Sequence, residues 1–207
     1  MNVSDTPPSL PRPSLVLHAD ATPTAPALTL RAWREEDVAA LVEGHRGAPA
    51  DLPAAASAVG NEAEGRHWIS VQREGWATGS RYAFAVLETR PDGSEGPLLG
   101  HVALKDAAPG RPVAEVGYWT AVRARGRGVA PSALETLTTW AFTTFGPTGL
   151  THLELLHQVT NPASCRVAEK TAYPFTETLP PWPPMYPAEG HRHVRYADAS
   201  APVIGTP

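Results

Sequence analysis

The sequence predicts an α/β domain on a mixed, mostly antiparallel sheet, and three observations carry that expectation. Arg81 to Thr89 and Leu98 to Lys105 are strand-like runs joined by the turn Pro91-Asp92-Gly93-Ser94, which reads as an antiparallel hairpin. Val113 to Val122, a glycine turn, a helix-like run and a further strand-like run from His152 to Thr160 make a β-α-β unit, whose two strands run parallel with a right-handed crossover. A chain of 207 residues suffices for one well-buried core, and no second periodic block argues for another domain.

The elements follow in order. Residues 1–26 mix proline with Ser, Thr and Ala and are expected to form a flexible arm without helix or central strand. The domain is expected over 27–199, with a tail at 200–207. Leu28 and Leu30 alternate with Thr29 as a short strand. Glu35-Glu36-Asp37 supply an acidic first turn to a helix whose apolar stripe is Val38, Leu41 and Val42. Residues 44–61 are rich in Gly, Ala and Pro and read as a loop or a loose short helix. A helix over Glu62 to Gly75 follows, with Trp68, Ile69 and Val71 facing inward.

Pro109-Gly110 precedes the strand at Val113. Pro131 suits the first turn of the next helix, and Leu134, Leu137, Trp140 and Ala141 recur at helical spacing until Gly146-Pro147. Asn161-Pro162 starts the last helix, because asparagine caps free N–H groups and proline suits the first position. Short strands are expected at Phe175 to Leu179 and Val194 to Ala197. Between them Pro180-Pro181-Trp182-Pro183-Pro184-Met185-Tyr186-Pro187 is a stiff connection, its two rings either covering the core or walling a pocket.

Composition narrows the function classes. A formal net charge of −4 gives no electrostatic case for nucleic acid or an anionic membrane, although Arg123, Arg125 and Arg127 gather locally. The single cysteine, Cys165, excludes an internal disulfide and a cysteine-based metal site and fits a reducing compartment. No apolar run approaches the ~20 residues of a membrane helix, and prolines occupy the place of a signal-peptide core. A cytoplasmic monomer or homodimer without metal is expected.

Arg123-Ala124-Arg125-Gly126-Arg127-Gly128-Val129-Ala130 joins a strand to a helix, the place for an anion-binding turn. A Walker loop requires Gly-Lys-Ser/Thr where this chain has Gly128-Val129-Ala130, and a dinucleotide fingerprint requires a third glycine and a later acid. The spacing Arg-x-x-Gly-x-Gly resembles the coenzyme A pyrophosphate loop of the GNAT superfamily of acetyl-CoA-dependent N-acyltransferases. About 35 residues on, Asn161-Pro162-Ala163-Ser164 and the helix end Thr171-Ala172-Tyr173-Pro174 look like the branch that acetylates N-termini of ribosomal proteins, the RimJ/RimL type. Leu28 to Asp37 likewise looks like that branch's first strand and helix. The resemblance covers roughly residues 27–198, with Ala172 standing where the family usually has glycine and Tyr173 replacing the commoner phenylalanine.

The resemblance implies a GNAT fold, whose central parallel strands splay before the glycine loop. It implies acetyl-CoA as co-substrate and an amine acceptor, either a protein N-terminus or a small molecule, with direct attack in a ternary complex. Backbone amides of Arg125, Gly126, Arg127, Gly128, Val129 and Ala130 would hold the pyrophosphate, aided by the side chains of Arg123, Arg125 and Arg127. Backbone groups of Trp119, Thr120, Ala121 and Val122 would pair with pantetheine, as would Asn161. An amine must lose a proton before attack, and Glu115 is the favoured base over Glu154, with His101 and His157 as further candidates. Ala168 stands where many relatives have a tyrosine, so Ser164 is the candidate for holding the leaving sulfur. Cys165 is expected to pack as a small apolar residue. A regulatory module that binds the cofactor without turnover is the alternative, and the loops at 44–61 and 178–193 are expected to choose the acceptor.

Overall fold

The computed structural model describes residues 12–46, 59–183 and 187–197. Eight strands form one open sheet: β1 (Val16–Ala19), β2 (Leu28–Ala32), β3 (Arg81–Thr89), β4 (Glu95–Lys105), β5 (Val113–Thr120), β6 (His152–Gln158), β7 (Phe175–Leu179) and β8 (Gly190–Tyr196), in the order β1-β2-β3-β4-β5-β6-β8-β7. The β5–β6 pair is parallel and the other neighbours are antiparallel, the mixed sheet that the sequence predicts. Helices α1 (Val38–His45) and α2 (Glu62–Thr78) cover one face, and α3 (Val129–Phe145) and α4 (Pro162–Lys170) the other.

Strand alternation divides the core accordingly. Leu28, Leu30, Phe84, Val102, Val116, Leu153 and Leu155 point toward α3, whose Leu134, Leu137 and Ala141 are fully buried. Ala83, Ala85, Leu87 and Ala103 point the other way, toward Trp33, Val38, Leu41 and Ile69. Arg31, buried on β2, spans two partners: its guanidinium makes a paired bond to Asp37 at 2.7 and 2.9 Å and another to Glu95 at 2.8 and 2.9 Å. Asp37 also accepts the Arg34 N–H at 2.8 Å, fixing the entry to α1.

Three expectations are corrected. The first strand is not at Leu28: β1 pairs with β2 as an edge strand, where a proline-rich approach is tolerated, and Leu15, Leu17 and Ala19 pack on the core, so this part of the expected arm is held. Val71 on α2 is exposed, because helical spacing from Ile69 turns it outward. Trp182 is 75% exposed and does not cover the core. Residues 1–11, the loop at 47–58, Pro184-Met185-Tyr186 and the tail lie outside the described residues.

The end of α4 explains the departure at Ala172. Tyr173 N–H donates to the Ala168 carbonyl at 2.8 Å and Ala172 N–H to that of Glu169 at 3.3 Å, the Schellman closure, which requires a left-handed residue between them. Ala172 takes that conformation with φ 53° despite its Cβ. Tyr173 seals the closure, its hydroxyl 2.6 Å from Thr138 Oγ1 in the core. Ala172→Gly is expected to stabilise the fold by about 1 kcal/mol, read as a raised urea midpoint at unchanged slope; a lower midpoint would refute the strain.

Candidate active site

β5 and β6 pair only from Val113↔His152 to Val116↔Leu155, although both continue, to Thr120 and Gln158. β5 stays paired with β4 as far as Gly100↔Thr120. A bulge in β4 at Leu99 extends that attachment: Leu99 O accepts the Ala121 N–H at 2.9 Å, and Leu98 O accepts Arg123 at 3.0 Å. The β6-facing edge of Gly117–Thr120 therefore has no ladder partner among the described residues, which opens a slot between the strands. This is the splay that the family resemblance implies.

The chain leaves the slot through a 3₁₀ turn at Val122–Ala124 into the glycine loop. Gly126 and Gly128 have φ 74° and 67°. They differ in surroundings: a Cβ on Gly126 would meet nothing within 4 Å, whereas one on Gly128 would lie 2.3 Å from the Thr24 carbonyl oxygen. Gly128 thus has a packing reason to be glycine, and Gly126 faces open space. No side chain caps α3, and Pro131 in its first turn has no N–H to satisfy, so the amides at Val129 and Ala130 stand at the positive end of the helix dipole. Of the three arginines, Arg127 pairs with Glu88 at 2.8 Å and Arg123 is held by Leu98 O, while Arg125 makes a longer bond to Thr120 O at 3.4 Å.

Across the slot lies α4. Asn161 accepts the Ser164 N–H through Oδ1 at 3.3 Å, so it does cap the helix, and Ser164 is buried. Tyr118 from β5 donates its hydroxyl to Ser164 Oγ at 3.0 Å. Burial raises the Tyr118 phenol above its ordinary value, which keeps it protonated and a donor. Sequence reading missed this residue: Ala168 is buried in the core, and a phenol arrives beside Ser164 from the neighbouring strand instead. Only the alternation of Val116 and Tyr118 on one face of β5 signals it.

The carboxylates fall elsewhere. Glu115 alternates with Gly117 and Trp119 on the opposite face from Tyr118 and Ser164, and Lys105 Nζ binds its Oε1 at 2.5 Å. Glu115 and Ser164 are therefore not brought together on one side of the sheet. Glu154 is engaged by Arg192, which also binds Glu177. His101 is buried among Trp33, Trp68 and Trp119, its Nδ1 lies 3.1 Å from both the Trp33 indole nitrogen and the Phe84 carbonyl oxygen, and it is pushed down to about 3 by burial, with Arg81, Lys105 and His45 adding repulsion. It does not titrate where an amine sheds its proton. Trp119 packs against His45 with the rings tilted at 57° and their centroids 4.4 Å apart, on this same side of the slot.

His157 and Cys165 also differ from expectation. Burial holds the His157 ring below its ordinary range, and its Nε2 lies 3.2 Å from His193 Nε2. Cys165 does not sit among apolar groups: its Sγ is 3.3 Å from His191 Nδ1 and 3.6 Å from His157 Nε2. The partners come from β6, 8 residues before Cys165, and from β8, 26 residues after it.

An open mixed sheet with a parted parallel pair, a glycine loop and an uncapped helix below it defines the architecture of an acetyl-transferring enzyme. Residues 27–173 match the family described as the acetyltransferase (GNAT) domain, and the chain belongs to that family and is an acyltransferase. Similar solved structures include Mycobacterium smegmatis RimJ in complex with CoA-disulfide, with TM-score 0.74, 18% identity and coverage of 92% of this chain and 90% of that one. RimL, a ribosomal L7/L12 alpha-N-protein acetyltransferase in complex with coenzyme A, gives TM-score 0.70 at 18% identity, covering 88% of this chain and 99% of that one. The microcin C7 self-immunity acetyltransferase MccE, in complex with acetyl-CoA and AMP, gives 0.70 at 13%, covering 85% and 98%. No curated protein sequence matches significantly. Among the described residues no helix is long and apolar enough to cross a membrane.

His101 yields a pH prediction. The unfolded ring protonates near its ordinary ~6.5 and the folded ring only near 3, so between these values the unfolded state binds the extra proton. Stability therefore falls as pH drops through that window, by up to about 1.4 kcal/mol per pH unit from this residue. His101→Gln, whose amide offers both a donor and an acceptor to Phe84 and Trp33, is expected to flatten the acid side of the stability profile measured by urea unfolding; an unchanged slope would show that the folded ring protonates freely.

Proposed function

We propose that the chain binds acetyl-CoA along the slot and transfers its acetyl group to a primary amine by direct attack. The observation that carries this reading is the Tyr118–Ser164 hydroxyl pair at the unpaired edge of β5, above the glycine loop. The pyrophosphate lies on the amides of Arg125, Gly126, Arg127, Gly128, Val129 and Ala130, where the dipole of α3 favours negative charge, and Arg125 adds a charge-assisted bond. Arg123 and Arg127 chiefly hold the loop in place through Leu98 O and Glu88. Pantetheine pairs with backbone groups at Trp119, Thr120, Ala121 and Val122, and with the side-chain amide of Asn161.

The amine nitrogen attacks the thioester carbonyl carbon, the C–S bond breaks, and the departing thiolate takes the Ser164 hydroxyl proton, which Tyr118 replaces. The proton lost by the amine passes through water to Glu115, once Lys105 releases that carboxylate. A backbone N–H on the free edge of β5 stabilises the oxyanion. Amide and free thiol are the products. The acceptor approaches from the side of Trp119 and His45. RimJ and RimL are structural neighbours, and a protein N-terminus fits that likeness, while MccE shows the scaffold beside a small nucleotide. The unit, expected over 27–199, is proposed to begin earlier and include β1, which pairs with β2 and packs on the core.

The test is acetyl transfer to a panel of N-terminal peptides and small amines, alongside acetyl-CoA binding. Ser164→Ala and Tyr118→Phe are expected to lower kcat by about 10²-fold with little change in acetyl-CoA affinity, the size of a lost proton donor. Equal rates for both variants and the parent would remove the pair from the chemistry. Glu115→Gln is expected to lower kcat and steepen its dependence on pH, and parental turnover at neutral pH would remove Glu115 as base.

Gly126→Ala separates the loop's ligand role from its packing. It is expected to weaken acetyl-CoA binding at least 10-fold while costing the fold about 1–2 kcal/mol. Gly128→Ala, against the Thr24 carbonyl, costs more stability. Calorimetric titration and thermal unfolding measure both effects, and parental affinity in Gly126→Ala would sink the pyrophosphate assignment.

A further inference from the structure

Three histidines and the one cysteine converge between α4, β6 and β8. His157 faces α4 from β6, His191 is its cross-strand neighbour on β8, His193 lies two residues on along the same face, and Cys165 comes down from α4. One ligating atom from each lies within 4.8 Å of all the others. Three of the six edges come close to those of a tetrahedron around a cation, and the other three lie within 4.8 Å. With metal–nitrogen bonds of about 2.0–2.1 Å and metal–sulfur bonds of about 2.3 Å, tetrahedral edges are about 3.4 Å for N···N and about 3.6 Å for N···S. The observed edges are 3.2 Å for His157 to His193, 3.6 Å for Cys165 to His157 and 3.3 Å for Cys165 to His191.

The outer partners fix which nitrogens face inward. A carbonyl only accepts, so His157 Nδ1 carries the proton it donates to Gln158 O at 2.8 Å, and His193 Nδ1 the one it donates to Tyr173 O at 3.0 Å. In neutral rings both Nε2 atoms then present lone pairs to each other at 3.2 Å, with the Cys165 sulfur beside them. Two lone pairs at hydrogen-bond distance repel unless something positive lies between them. Imidazoles oriented by backbone carbonyls are the usual support of a metal centre.

We propose that Cys165, His157, His191 and His193 form a tetrahedral site for a borderline-soft divalent cation, zinc above all. One thiolate and three imidazoles suit that ion better than the oxygen-seeking magnesium or calcium. Four protein donors leave no open position, so the cation is structural. It staples α4 to β6 and β8 one residue from Ser164 and does not activate water. The expectation of a chain without a metal site rested on counting cysteines, and three histidines replace the missing thiols.

The experiment uses the full chain, stripped with a strong chelator and titrated with zinc against a chromophoric competitor, then with cobalt. One equivalent of zinc is expected to bind and to raise the melting temperature by several degrees. Cobalt is expected to give the intense visible bands of four-coordination and a thiolate charge-transfer band. Cys165→Ser is expected to abolish the charge-transfer band and, like His191→Gln, to weaken zinc by at least about 100-fold, since even outer partners of a metal ligand are worth 10–100-fold. His67→Gln on the exposed face of α2 is the control and leaves affinity unchanged. Two results overturn the proposal: no stoichiometric zinc at micromolar concentration, or parental affinity and spectrum in Cys165→Ser.

Discussion

The parting of β5 from β6 is the constraint on which the rest of the structure depends. Parallel strands joined by a right-handed crossover normally stay paired, because each unpaired backbone group in a buried slot loses a hydrogen bond's worth of free energy. Here the register ends at Val116↔Leu155 while each strand keeps its outer partner, β5 with β4 and β6 with β8. The sheet is thus two half-sheets hinged on four residue pairs. The bulge at Leu99 secures one half by drawing Ala121 and Arg123 onto β4, so the chain enters the glycine loop from a fixed direction. The Tyr118 to Ser164 bond crosses from β5 to α4 and spans the gap between the halves. A backbone edge left without a ladder partner among the described residues is where the proposed pantetheine pairing would supply one.

Charge holds the first half-sheet at its far end. Arg31 is buried between Asp37 and Glu95, and an ion of that burial persists only when fully hydrogen-bonded. Its geometry fixes the β2 to α1 turn, and with it Trp33, which packs against Trp68 and stands over His101 and Trp119. The aromatic cluster of Trp33, Trp68, His101 and Trp119 is therefore set in part by an ion pair on β2. Glu115, the base of the proposed mechanism, is held on this side by Lys105, so that role requires the ion pair to open.

Much of this was legible in the sequence, for a physical reason. Strand and helix periods are local, so β3, β7 and the β3–β4 turn lie where the pattern puts them, and the glycine loop reads from six consecutive residues. Edge strand β1 was not legible, since four residues after a run of prolines carry too little alternation to be told from coil. Proximity across strands was not legible either. Tyr118 lies 46 residues from Ser164, and His191 lies 26 from Cys165, separations at which no spacing rule applies. Glu115 illustrates the converse: its place in the strand was right, but its partner Lys105 and its face of the sheet follow from the register of β4 with β5.

The second half-sheet is held differently from the first. On β8 the partly exposed Arg192 joins Glu154 to Glu177 and Arg195 joins Glu135 to the Thr171 carbonyl, while the core beneath α4 is thin, since α4 buries only Ser164 and Ala168 among its nine residues. Its C-terminus closes on a strained alanine and its N-terminus on a single asparagine cap. A helix held so lightly would place Ser164 poorly, and in the proposed transfer a proton donor misplaced by about 1 Å loses much of its effect. Two devices compensate: Tyr173 anchored to Thr138 at one end, and the Cys165 and histidine cluster at the other. The second works through directional donors where packing area is scarce, which is how small or poorly buried units are commonly secured. The rigidity that the role proposed for Ser164 demands is therefore supplied from behind it, by side chains on the far side of α4 and at its C-terminal end.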